Sequence, residues 1–169
     1  IGLVGSEMCI RDSTAGAQDH HTVVRRVTME NAGTGIWKPK DMESVDGLVT
    51  DTPGLPLLVY CADSVPLYFY DPKRRAIGLS HAGWRGTVNG MAKATIEKMQ
   101  AEFGTDPADL LAAVGPSISK RSFEVDEPCA AEFLALPESD AFVTDDGNGK
   151  FHVDLWECNR RYMLACGMR

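Results

Sequence analysis

Apolar and polar positions along the chain change period several times, and each change predicts an element. Residues 22–28 concentrate β-branched side chains and predict a strand. Residues 31–43, polar and punctuated by Gly33, Gly35 and Pro39, predict a loop. Residues 46–50 predict a short strand, closed by the turn Asp51-Thr52-Pro53-Gly54. Residues 55–61 form an unbroken apolar run, the pattern of a strand buried on both faces. Residues 66–70 and 76–79 flank Asp71-Pro72-Lys73-Arg74 and predict a hairpin or tight crossover.

Beyond Gly86 the period lengthens. Val88, Met91, Thr95, Met99 and Phe103 recur at helical spacing, and Gly104 stands where a left-handed helix stop belongs. Asp106-Pro107 has the capping chemistry to open a short helix, followed at 111–114 by what reads as another buried strand. Residues 126–136 and 154–166 predict two further helices, with a short strand at 151–153 and a turn at 145–149. Strands and helices alternate irregularly and without repeats, so the expected class is mixed α/β with at least one largely buried sheet.

Composition narrows the function classes. Of 169 residues 44% are apolar and 24% charged, which excludes a disordered tail, a collagen-like fibre and a disulfide miniprotein and suits one domain. Seventeen Lys+Arg against 24 Asp+Glu leave a net charge of −7, a field that repels phosphate backbones and argues against nucleic-acid binding. The longest apolar run, 55–61, falls well short of the roughly 20 residues of a membrane helix, so no membrane partner is expected. Five cysteines without a CxxC pair predict reduced thiols and a cytoplasmic setting. Residues 1–13 show no periodicity and resemble a translated sequencing-adapter segment. They are expected to be a non-native or disordered leader to a single domain over 14–169, truncated at both ends.

Three stretches carry more chemistry than packing asks for. Ser80-His81-Ala82-Gly83-Trp84-Arg85-Gly86 joins a strand to a helix, and the N–H groups of residues 83–87 with the planar fork of Arg85 suit an anion. His81 is then expected at the strand's carboxyl end, where open α/β sheets place ligands. Tyr60-Cys61-Ala62-Asp63-Ser64-Val65-Pro66 lies at the end of the apolar run, where a carboxylate is costly to bury unless it is paired or functional. Gln18-Asp19-His20-His21 precedes a strand, and adjacent strand residues face opposite ways, so one of the two histidines at most points into a shared site.

Together these motifs resemble the YfiH-type laccase-domain family, also described as polyphenol oxidase or purine nucleoside phosphorylase. The matching stretches are Gln18 to His20, 46–50 (Asp-Gly-Leu-Val-Thr), 61–67, 80–86, Gly115-Pro116-Ser117-Ile118, 123–125 and 152–155. The resemblance implies a four-layer α/β/β/α fold, here incomplete, and a zinc site, with copper the alternative. It further implies phosphorolysis of purine nucleosides such as adenosine, inosine, guanosine and methylthioadenosine, with adenosine deamination beside it, so the partners are a purine nucleoside and phosphate. Its metal ligands carry over to His20 and His81, but the position of its cysteine is Ser64 here, and a neutral hydroxyl is a poor zinc ligand. Cys61 is a candidate substitute only if the chain bulges between it and Ser64. His81, Asp63 and Arg85 are the catalytic candidates, Asp63 as base or as the group orienting His81. Gly83, Gly86, Ser117 and again Arg85 are candidates for phosphate or substrate. Two other readings stay open: a Cys–His hydrolase or deamidase using Cys61 and His81, and a metal-free, non-catalytic nucleoside-binding homologue.

Overall fold

The computed structural model describes residues 12–169. The expected leader lies outside the described residues except for its last two, of which Ser13 is buried. Directly after it, Thr14–Ala15 (β1) pairs in parallel with Leu57–Leu58 (β4).

A five-stranded sheet carries the site. Val23–Arg26 (β2), Val45–Thr50 (β3), Val65–Asp71 (β5), Ala76–Ala82 (β6) and Leu111–Val114 (β7) stand in the order β2-β3-β6-β5-β7. Only β2 and β3 are parallel; the other neighbours are antiparallel. The predicted hairpin is β5–β6. Its turn is held by the Asp71 carboxylate, which accepts from the N–H groups of Lys73 and Arg74 at 2.9 Å each. Two short helices follow where one periodic stretch was read: Trp84–Val88 (α1) and Met91–Phe103 (α2), divided at Gly90, whose φ of +81° a residue with a side chain rarely adopts. Gly104 ends α2 in the left-handed conformation, as its position predicts.

Helix α2 lies directly on β6: a Cβ at Gly78 would meet Met99 Sδ at 3.1 Å and Thr95 Cγ2 at 3.2 Å. Because strand side chains alternate, Leu79 and His81 point to the opposite face, away from this helix. Beyond β7, Glu124–Asp126 (β8), Val143–Gly147 (β9) and Lys150–Val153 (β10) make a second, antiparallel sheet in the order β8-β10-β9. Glu127–Leu134 (α3) and Leu155–Ala165 (α4) begin at Asp126 and Asp154, whose carboxylates accept from the third helical N–H in each case. One core joins both sheets to the helices through Phe69, Met99, Phe133 and Val153, and fully burying a Phe or Met side chain contributes about 1.5–3 kcal/mol. A smaller core of Val27, Met42, Val45, Leu48 and Leu55 closes part of the other face.

Two expectations are corrected. Residues 55–61 are no buried strand: only Leu55 is buried, two residues pair as β4, and Tyr60 and Cys61 are exposed. Pro56 supplies no N–H to a ladder, and the run carries the chain along the sheet's outer face rather than through its middle. The strand β3 is buried along its whole length. Residues 111–114 do form a strand, but β7 is the sheet edge and Leu111 is 61% exposed. An apolar run reports the character of both faces of a strand and not whether both are covered. Among the described residues no helix is long and apolar enough to cross a membrane.

Candidate active site

At the end of β6 the histidines predicted to meet do so. The rings of His20 and His81 stand 5.1 Å apart, centroid to centroid. His81 is 4% exposed and lies where β6 faces away from α2. Its Nδ1 is 2.8 Å from Asp46 Oδ1, and Asp46 is equally buried at the start of β3. An ionised carboxylate only accepts, so Nδ1 carries the proton and Nε2 is the nitrogen left for the pocket.

Asp46 also organises the other histidine. Its two oxygens accept from the backbone N–H groups of Asp19, His20 and His21 at 3.0–3.2 Å. Those bonds hold His20 at a φ of +70°, a left-handed conformation that costs of order 1 kcal/mol or more in a residue with a side chain. The ring then rests against Gly83, where an added Cβ would stand 2.7 Å from His20 Nδ1 and 3.4 Å from Ser64 Oγ. Gly83 is therefore a glycine for close approach, since its φ is an ordinary −64°.

The pocket in front of these groups has a volume of about 360 Å³ and is lined by Gly16, Gln18, His20, Lys40, Tyr60, Ala62, Ser64 and His81. Cys61 and Asp63 are not among the residues that line it. Partial burial pushes the Cys61 thiol up, so little thiolate forms there at neutral pH. Asp63 is exposed, and its carbonyl accepts from Ile118 N at 3.0 Å. The carboxylate that orients His81 is thus Asp46, where Asp63 was expected. An exposed Asp63 incurs none of the burial cost that drew attention to it.

The phosphate candidates are spread out. Arg85 is exposed, stacks its guanidinium 4.3 Å from the Trp84 ring centroid, and acts electrostatically on Cys129 of α3; it does not line the histidine pocket. Helix α1 has five residues, too few to build a large axial dipole, and Gly86 is buried beneath the carbonyls of His21 and His81. The Ser117 hydroxyl is committed twice, accepting from Trp156 Nε1 at 2.7 Å and donating to Gly115 O at 3.1 Å. Lys40 does line the pocket, with its Nζ 5.2 Å from the centroid of the Tyr60 ring. Tyr60, 53% exposed, is clamped through its backbone by Gln18, which accepts from Tyr60 N at 2.7 Å and donates to Tyr60 O at 2.9 Å. Asp46, Lys40 and Tyr60 were missed as site residues. Two signals were available for Asp46: a carboxylate at the start of a largely apolar strand, and its place in the 46–50 stretch that carries the family resemblance.

A catalytic zinc site uses three protein ligands. Among the described residues no group of three His, Cys, Asp or Glu side chains is placed to hold an ion. Two imidazoles and the poorly donating neutral hydroxyl of Ser64 are one good ligand short of three, so these residues do not fit the zinc or copper that the resemblance implies.

Comparison with known proteins bears on the whole arrangement. The sequence model for "Multi-copper polyphenol oxidoreductase laccase" matches residues 4–169. A purine nucleoside phosphorylase of Bacteroides thetaiotaomicron is 43% identical over 131 residues, 75% of this chain and 48% of that protein. Adenosine deaminase RL5, from an unknown prokaryotic organism, is 38% identical over 129 residues, 75% of this chain and 49% of that one. The crystal structure of a hypothetical protein YfiH from Bacillus licheniformis superposes with a TM-score of 0.89 at 30% identity, covering 99% of this chain and 64% of the other. The chain spans about half the length of the curated relatives it matches.

Proposed function

Since the chain belongs to the multi-copper polyphenol oxidoreductase laccase family, we propose that its histidine pocket cleaves purine nucleosides by phosphorolysis, with adenosine deamination as a side reaction. The observation that carries this reading is the meeting of an imidazole pair, an exposed tyrosine and a lysine around one pocket of about 360 Å³. Tyr60 offers a flat face to a purine, and base–aromatic stacking contributes about 1–3 kcal/mol. Lys40 supplies the positive charge that a phosphate beside the base requires.

In this account phosphate attacks the ribose carbon as the bond to the base breaks. His20, exposed at the rim, gives a proton to the departing purine. His81, with Nδ1 tied to Asp46, takes up the proton lost by the attacking oxygen at Nε2. In deamination the same nitrogen draws a proton from water as its oxygen bonds to the amino-bearing ring carbon; the C–N bond then breaks and the amino group leaves as ammonia with that proton. The Cys–His alternative gains no support, because Cys61 does not line the pocket and desolvation pushes its thiol up.

Product analysis tests the proposal. With inosine and inorganic phosphate, hypoxanthine and ribose 1-phosphate should appear in equal amounts, with one phosphate consumed for each. Free ribose formed at a rate independent of phosphate would make the protein a hydrolase instead.

A further inference from the structure

We propose that Ser64 is a nucleophile activated by the His81–Asp46 pair, which gives the pocket a metal-independent activity toward small carboxylic esters. The inference stands on the geometry alone and does not depend on nucleoside cleavage.

The parts of an acyl-transfer site are in place. Val65 pairs with Ala82 and Pro66 with His81 across the β5–β6 ladder, so the same register carried one step further sets Ser64 opposite Gly83. His81 is then two residues along on the same face, a diagonal neighbour whose Cα lies about 7–8 Å away and within reach of a ring. Both side chains line the same pocket. The Ser64 hydroxyl makes no hydrogen bond among the described residues, to His81 included, and must turn toward Nε2 to react, whereas Ser80 and Ser117 have theirs engaged. His81 is the base such a serine needs: Nδ1 is fixed on a buried carboxylate at 2.8 Å, leaving Nε2 as the acceptor. Asp46 in turn is held by three backbone N–H groups. The third element is His20, which lines the same pocket and would donate to the oxyanion that forms on the carbonyl oxygen of an ester held at Ser64.

The same feature that leaves a zinc site incomplete, a hydroxyl between two histidines, completes this one. Ser64 Oγ bonds to the ester carbonyl carbon while its proton moves to His81 Nε2. The ester C–O bond breaks, and the alcohol leaves with that proton. Water then adds to the acyl carbon, giving its proton to His81. The acyl–Oγ bond breaks to release the carboxylic acid, and Ser64 recovers its proton. No oxidant, reductant or metal is consumed.

The test is covalent labelling of the full chain by an alkyl fluorophosphonate in the presence of EDTA, with the modified peptide located by mass spectrometry. Labelling confined to Ser64, accompanied by a burst of p-nitrophenol from p-nitrophenyl acetate, is the expected result. Ser64→Ala should abolish both, and His81→Ala should slow labelling at least about a hundredfold, the scale of a lost general base. Should His81→Ala fail to fold, Ser64→Thr gives the second measurement, since a crowded secondary hydroxyl at the same place should label several times more slowly. An unlabelled protein, label on another residue, or a Ser64 rate indifferent to His81 and to Ser64→Thr overturns the proposal.

Discussion

His81 Nδ1 lies 2.8 Å from Asp46 Oδ1 with both side chains buried, and the same carboxylate accepts three consecutive backbone N–H groups that carry His20. One residue therefore fixes the ring of one histidine and the backbone of the other. Asp46→Ala leaves four donors short of an acceptor and should destabilise the fold by about 3 kcal/mol, the scale of several unsatisfied buried polar groups. Thermal unfolding checks this, with a fall of roughly 6–12 °C expected for a domain of this size. Asp63→Ala, at an exposed position, should change stability by no more than about 0.5 kcal/mol. Equal effects at the two positions would remove Asp46 from the centre of the site.

Ser64→Cys converts the donor set to two imidazoles and a thiolate. Zinc affinity should rise by at least about tenfold, roughly 1.4 kcal/mol. Cys61→Ala should leave zinc affinity unchanged, because that residue does not line the pocket. Titration of both variants against a zinc chelator separates these outcomes from a site in which Cys61 supplies the sulfur.

Lys40 lines the pocket and Arg85 stacks on Trp84 outside it. Lys40→Ala should raise the KM for phosphate by about tenfold, the cost of one charge-assisted contact. Arg85→Lys should change it less than twofold, even though an ammonium cannot reproduce the planar fork. Initial rates against phosphate concentration decide, and the reverse ranking would return the phosphate to Arg85.

The Cys158 thiol, buried in the main core, is pushed up to about 12 by desolvation, against an ordinary value of 9.0. Between those values the unfolded chain has lost this proton while the folded chain keeps it. Stability should therefore fall as pH rises from 9 toward 12, by up to about 1.4 kcal/mol per pH unit from this group. Denaturant unfolding at pH 8, 9 and 10 measures the slope, and Cys158→Ala should flatten it while lowering stability at pH 8.

Elements with local signals were legible in the sequence. Gly104 needed only its position after a periodic run, and Asp106, Asp126 and Asp154 marked helix starts by capping chemistry that acts within three residues. The site was legible where a strand end and a glycine coincided, at His81 and Gly83. It was illegible where partners are set by sheet order. Asp46 lies 35 residues from His81, and only the antiparallel pairing of β3 with β6 brings them side by side. Asp63 stands closer in sequence, but it is exposed and does not line the pocket. The strand β9 also went unread, because Thr144, Asp145 and Asp146 are polar and exposed and the segment is held by pairing to β10.

The central claim is that purine nucleoside chemistry takes place at the His20–His81 pocket. Steady-state phosphorolysis of inosine by the unaltered protein and by His81→Ala, both confirmed folded by circular dichroism, tests it most directly. A fall in kcat/KM of at least about a hundredfold is predicted, the contribution of a positioned general base. A His81→Ala protein that cleaves inosine at the unaltered rate would contradict the account.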